Sequence, residues 1–221
     1  MMSLIRNGNI GLWMIVLLII LGIVIGVWQP IELDELIAMG RQAAEYPALI
    51  VAVLVIMALM FSFGLPGSFG LWLIAPFHPP LMATALLLSS SLVGALGAYT
   101  FSARMGKDWT PSGMTAKVMK LLENQGGVMT QIAMRVLPGF PHSVVNFAGG
   151  VLKLPLPGFM IAALIGQGVK WAVYATAVYG VVDAVESGDA IQPITIVPLI
   201  VLSVLLLSGA WFKRKFMANG E

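Results

Sequence analysis

The sequence predicts an all-α integral membrane protein, with about four transmembrane helices and two opposed re-entrant hairpins in an inverted repeat. Three observations carry this. Of 221 residues, 59% are hydrophobic and 10% charged, with a mean hydropathy of +0.94, a balance that suits lipid rather than water as solvent. Two apolar stretches are broken by prolines and glycine, at Gly64-Leu65-Pro66-Gly67-Ser68 and at Pro138-Gly139-Phe140-Pro141. Proline lacks an N–H and clashes with the preceding turn, so a helix stops there. The polar connections alternate in sign along the chain: acidic at 31–46, basic at 104–127, acidic at 183–189.

The elements follow in order. Arg6 precedes the apolar run Ile10–Trp28, which is long enough to span and is followed by no small-x-small cleavage site, so it reads as a retained anchor. Ile31–Tyr46 places Leu33, Leu36, Ile37 and Gly40 on one face, as in an amphipathic helix lying on the membrane. Pro47–Phe63 and Phe69–Phe77 flank the first break; the second piece is too short to span. Leu81–Ala103 is a span with Ser90, Gly94, Ala98 and Gly97, small residues that let helices approach closely. Arg104–Gly127 is the main polar loop. Val128–Leu137 and His142–Leu152 flank the second break, Phe159–Val182 is a span, and Ile194–Phe212 is a last span capped by Lys213-Arg214-Lys215.

Charge sets the topology. The Lys213–Lys215 cluster and the basic 104–127 connection belong in the cytoplasm by the positive-inside rule. If both broken segments enter and leave on one side, every connection falls where its charge fits and both termini are cytoplasmic. If residues 47–63 cross fully instead, the basic loop ends up outside. The hairpin arrangement divides the chain into an N-terminal anchor and surface helix (1–46), a core of two hairpin-plus-span repeats (47–182) and a C-terminal helix with a basic tail (183–221). In such inverted repeats, broken helices build a site near the midplane.

Polar groups at membrane depth mark that site, because each is costly there without a partner or a function. Arg135 lies three residues before the second break; its guanidinium suits either a phosphate or the freed carbonyls of the broken helix. Lys170 lies about 12 residues from either end of its span, ~18 Å of helix, beyond the reach of snorkelling. Gln167 and Tyr174 share its face, and the stripe reads either as a second anion contact or as a lysine bonded to tip carbonyls. His142 and Asn146 lie one turn apart on the returning limb; Asn146 suits bonding of freed backbone groups, and His142 either a structural hydrogen bond or a proton relay. Pro66, Gly67, Ser68, Pro138, Gly139 and Pro141 shape the tips, either as helix breakers alone or as sites whose exposed N–H groups suit an anion.

Other chemistries are excluded by composition. There is no cysteine, and the two histidines, His78 and His142, are far apart, so no metal site or cofactor is expected. No nucleophile–base pair or membrane carboxylate points to an enzyme. The dispersed basic residues give no nucleic-acid footprint.

From about Phe61 to Gly180 the chain resembles the DedA superfamily, also called VTT-domain or SNARE-associated Golgi proteins. The resemblance rests on Leu65-Pro66-Gly67-Ser68, on Gly94-x-x-Gly97-x-Tyr99 with Arg104-x-Gly106, and on Arg135-x-x-Pro138-x-x-Pro141-x-x-x-x-Asn146-x-x-Gly149. The last matches the branch whose signature is arginine, proline, proline, asparagine, glycine. The family implies two opposed re-entrant hairpins and lipid translocation, with polyprenyl phosphates or phospholipids as cargo. Its DedA members carry acidic residues near the first hairpin that are linked to proton coupling. Here Ser68 stands at that place, and Asp and Glu occur only at 32, 34, 35, 45, 108, 123, 183, 186, 189 and 221, so acid-based coupling is not expected. The expected function is translocation of an anionic membrane lipid across a bacterial inner (plasma) membrane. Alternatives are a small-ion or solute transporter, and a non-transporting membrane-organisation or trafficking protein.

Overall fold

The computed structural model describes residues 33–105, 113–137, 142–188, 196–201, 203, 204, 207 and 208. The expected first span Ile10–Trp28, the tip residues Pro138, Gly139 and Pro141, and the Lys213–Lys215 cluster lie outside them. The described residues are helical, without a strand. The chain divides into two compact units, residues 1–42 and 43–221. Of the first, the described part belongs to helix α1 (Leu33–Ala44), within the predicted amphipathic segment.

The second unit begins with α2 (Pro47–Ser62), which has proline in its first turn, where the missing N–H costs nothing. It stops because Gly64 adopts φ +76°, a left-handed conformation that glycine takes freely. The Leu65 N–H then donates back to the Met60 carbonyl at 2.8 Å, satisfying one of the helix's free carbonyls. The chain turns through Pro66 and Gly67 into the short α3 (Gly70–Ile74) and reaches α4 (Pro80–Met105). After α5 (Gly113–Gln125) come α6 (Val128–Val136), α7 (His142–Val151) and α8 (Leu156–Ser187). Residues 196–201 are helical.

Two of these helices, over Pro80–Arg104 and Leu156–Ser187, are long and apolar enough to cross a bilayer. They form the central pair. Ala95 packs with Phe159, Leu88 faces Gly168 and Ser91 meets Trp171, so residue numbers rise on one helix as they rise in the opposite direction on the other. The two helices are therefore antiparallel.

The hairpins enter at opposite ends of this pair. Along α2 and α4, Met57 meets Ser90, Phe61 meets Gly94 and Ser62 meets Gly97, offsets of 33 to 35 residues. Helices with a constant offset run parallel, which sets Pro47 level with Pro80; the chain that leaves the start of α2 has returned to that level by the start of α4. At the far end of α4, the Tyr99 hydroxyl donates to the Leu154 carbonyl at 2.7 Å. There Leu154 lies beside Gly126, and Val128 beside Gly158, so α6 departs where α7 comes back. With 9 and 10 residues, α6 and α7 are ~14 and ~15 Å long, half of a ~30 Å hydrocarbon core. The two broken segments thus fold back from opposite ends of the central pair, and the 16-residue α2, ~24 Å long, runs along most of α4.

Three expectations are corrected. Within the predicted polar loop Arg104–Gly127, α5 is a helix whose Val118 and Leu122 are buried against Met134, Val145 and Ala148. The span predicted at Phe159–Val182 is longer, and Asp183 and Glu186 lie on α8 rather than in a loop; the helix ends only at Gly188, with φ +67°. Lys170 is thus 14 residues from Leu156 and 17 from Ser187, ~21 and ~26 Å of helix.

The crossing of α4 and α7 has no room for a side chain. A Cβ at Gly150 would overlap the Tyr99 carbonyl oxygen and the Ser102 hydroxyl, and would lie 3.0 Å from the Ala103 nitrogen. Gly150→Ala should therefore destabilise the protein by about 1–3 kcal/mol, the usual range for overpacking. A thermal midpoint in detergent equal to that of the wild type would show the helices are not so closely apposed.

Candidate functional site

Three elements bring the predicted polar residues together. Gly166 on α8 lets α6 approach closely: a Cβ there would lie 2.7 Å from the Arg135 Cβ and 3.2 Å from the Ile132 carbonyl oxygen. That contact seats Arg135, 0% exposed, near the end of α6. Its Nη1 donates to the Gln131 carbonyl at 3.3 Å and its Nη2 to Asn146 Oδ1, on α7, at 3.2 Å. The guanidinium carbon lies 4.7 Å from the centre of the Phe159 ring, an attractive cation–π geometry. Its Nε has no hydrogen-bond partner among the described residues.

One turn beyond Gly166, Lys170 is 6% exposed, and its Nζ lies 2.6 Å from His142 Nε2 at the start of α7. The ammonium also sits 4.0 Å from the Trp171 ring centre and 5.8 Å from that of Tyr174. Trp171 is fixed in turn by its Nε1–H, which donates to Ser91 Oγ on α4 at 2.8 Å. This level is near the middle of α4, so the cluster lies deep between the two ends of the central pair.

With Lys170 protonated, donor chemistry sets the pattern of the pair. An ammonium has no lone pair, so His142 Nε2 accepts from Lys170 and the neutral ring carries its proton on Nδ1. That Nδ1 is buried with no partner among the described residues, as are Gln167 Nε2 and Arg135 Nε. Three buried donors are thus unmet, against a single unmet acceptor, Gln131 Oε1. Among the described residues, both cations bond to neutral groups: a carbonyl, an amide and an imidazole. The imbalance is a shortage of negative charge and of acceptors, which an anion's oxygens would supply.

Of the predicted site residues, Arg135 joins Asn146, and Lys170 joins His142; Gln167 is buried one turn before Lys170, and Tyr174 packs one turn after it. Pro66, Gly67 and Ser68 sit elsewhere, at the other hairpin's tip, where Gly67 closes on Phe61 and Met57 of its own limb. No hydrogen bond among the described residues joins these three to either cation. Pro138, Gly139 and Pro141 lie outside the described residues. The sequence reading missed Gln131, which is 2% exposed, and the two aromatic faces, Phe159 and Trp171. Gln131 precedes Arg135 by one helical turn and was detectable as a second polar residue on the same face.

Replacing Asn146 tests the Arg135 bond. Asn146→Leu removes the acceptor of a charged donor and should cost about 1.5–3 kcal/mol of stability. Asn146→Asp supplies a carboxylate to an arginine otherwise held by neutral groups and should be tolerated better. Thermal midpoints in detergent check this; an Asp variant as unstable as the Leu variant would exclude the contact.

A match to the VTT domain family covers residues 47–180, more than half of the chain. The chain is 24% identical over 203 residues to transmembrane protein 41B of Gallus gallus, a match covering 87% of this chain and 76% of that protein. It is 24% identical to transmembrane protein 41B of Homo sapiens, covering 87% and 70%, and 24% identical over 201 residues to the transmembrane protein 41 homolog of Caenorhabditis elegans, covering 86% and 82%. No solved structure matches. With the family matched over both hairpins and both long helices, the chain belongs to the VTT-domain, or DedA, superfamily of membrane proteins.

Proposed function

We propose that this protein is a membrane lipid translocase of the flippase or scramblase kind, which carries an anionic lipid across the bilayer. The cargo is a polyprenyl phosphate or an acidic phospholipid. Its head group meets Arg135 and Lys170, with Asn146, His142, Gln167 and Tyr174 around it, while the tails stay in lipid. The observation that carries this reading is the charge imbalance of the buried cluster. Two cations bonded to neutral partners, beside three unmet donors, make a site that an anion completes. The site acts by binding and positioning, and leaves the lipid chemically unchanged.

The same reading takes residues 47–182 as the working core and the flanking segments as anchors. Sidedness follows from charge. Exposed Arg104 and Lys153 lie at the end of α4 where the second hairpin enters, whereas Glu45, Asp183 and Glu186 mark the opposite end. The basic end is cytoplasmic by the positive-inside rule, in an inner (plasma) membrane with both termini inside.

A double variant, Arg135→Met with Lys170→Met, keeps most of the aliphatic volume and removes both charges. In liposomes containing a fluorescent acidic lipid, it should move that lipid at least about tenfold more slowly than the wild type, the loss expected for one charged hydrogen bond. Size-exclusion chromatography reports whether the variant still inserts and folds. Unchanged lipid movement by a well-folded double variant excludes this site.

A further inference from the structure

The proposed lipid site places His142 beside the head group without giving it a chemical part, and its Nε2 lies 2.6 Å from Lys170 Nζ. We propose, on the reading of this cluster as an anion site, that Lys170 and His142 together form a proton site whose second proton enters with the anion.

The bond itself supplies the reason. Lys170 donates and His142 Nε2 accepts, so the pair holds one positive charge across two basic groups. A proton added to Nε2 would turn the bond into two opposed N–H donors and bring two cations into contact, in a buried place where like charges repel more strongly than in water. An anion removes that obstacle. One oxygen wedged between Nζ and Nε2 accepts from both, and the second positive charge is matched by the anion's own. The proton goes to Nε2, on the lone pair that had accepted from Lys170, and the histidine then donates from both ring nitrogens. Because each event lowers the free energy of the other, anion affinity and proton affinity are linked by the same factor.

The surroundings leave His142 as the group for that proton. From α6, Arg135 bonds to Asn146, one turn along α7 from His142, and stays charged. From α8 come Lys170 and Tyr174. On α4, the residues at this level are Ser91 and Leu88, neither titratable. The sequences of α2, α3 and residues 138–141 contain no titratable side chain. α5 packs on α7 through Val118 and Leu122 and carries Lys117, Lys120 and an exposed Glu123; no carboxylate is buried among these groups to take the proton instead. A site of this kind loads best from the more acidic side of the bilayer.

The test titrates full-length protein in nanodiscs with octyl sulfate, a head group that stays a monoanion from about pH 6 to 9. With one proton linked to binding, the wild-type Kd should weaken as pH rises, by up to about tenfold per unit. Calorimetry in two buffers of different ionisation enthalpy should report net proton uptake. His142→Gln, whose side-chain oxygen can still accept from Lys170, should bind with a flat pH profile. Binding without a pH slope or proton uptake in the wild type overturns the proton site and leaves the anion site standing. A slope that persists in His142→Gln overturns the role of this residue. Failure of octyl sulfate to bind the wild type overturns both readings. If His142→Gln does not fold, the wild-type slope and proton count decide alone.

Discussion

Arg135 and Lys170 must be held in the middle of a membrane protein by groups that carry no charge. A cation at the centre of a spanning helix costs about 2.5–3.5 kcal/mol on insertion scales. Hydrogen bonds to charged donors contribute about 1.5–3 kcal/mol each, and a cation–π contact about 0.5–2. Arg135 has two such bonds and the Phe159 ring; Lys170 has the His142 bond and the Trp171 ring. These terms are of the same size as the cost, so both cations are tolerable without a counter-ion. A carboxylate would have held them more firmly and cancelled their charge, whereas neutral partners leave that charge uncompensated.

Backbone geometry makes that arrangement possible. Arg135 reaches Asn146 only because α6 and α7 return on themselves, and it lies against α8 only because residue 166 has no side chain. The returning limb is in turn pressed on α4 through Gly150, while α4 holds the other hairpin through Gly94 and Gly97. Helices in lipid gain little from burying apolar surface, so close packing of small residues and interhelical hydrogen bonds carry the association. The Trp171–Ser91 bond ties the central pair together, and the Tyr99–Leu154 bond ties α4 to the connection between α7 and α8.

Much of this was legible in the sequence because lipid makes polar residues conspicuous. Arg135, Asn146, His142 and Lys170 stood out against apolar neighbours, and the breaks at Pro66 and Pro138 divided the helices. The pairing was not legible: helical spacing tells which residues share one helix face, and the Arg135–Asn146 and Lys170–His142 bonds join different helices. Phe159 and Trp171 were hidden for the opposite reason, since an aromatic residue in an apolar run carries no signal that a cation lies over it. Charge also misled. Lys117, Lys120 and Glu123 gave α5 the composition of a loop and masked the Val118–Leu122 stripe that seats it. Asp183 and Glu186 suggested that α8 had ended, although the helix continues to the glycine whose left-handed conformation stops it.

The two repeats share a shape and divide the chemistry. Both have a limb that packs along a long helix, and the first tip turns through Pro66 and Gly67. The first is almost wholly apolar: α2 carries Ser62 as its lone polar side chain, and that hydroxyl is used within the helix, on the Ala58 carbonyl. Its tip rests on hydrocarbon, with Gly64 against Phe147, and Phe63 and Phe147 each edge-on to Phe101. The second repeat carries Gln131, Arg135, His142, Asn146, Gln167 and Lys170. Phe147 follows Asn146 directly in sequence, so the helix that presents the amide to Arg135 is also the one on which the apolar tip leans. The two repeats therefore meet on α7, the apolar tip at Phe147 and the guanidinium at Asn146.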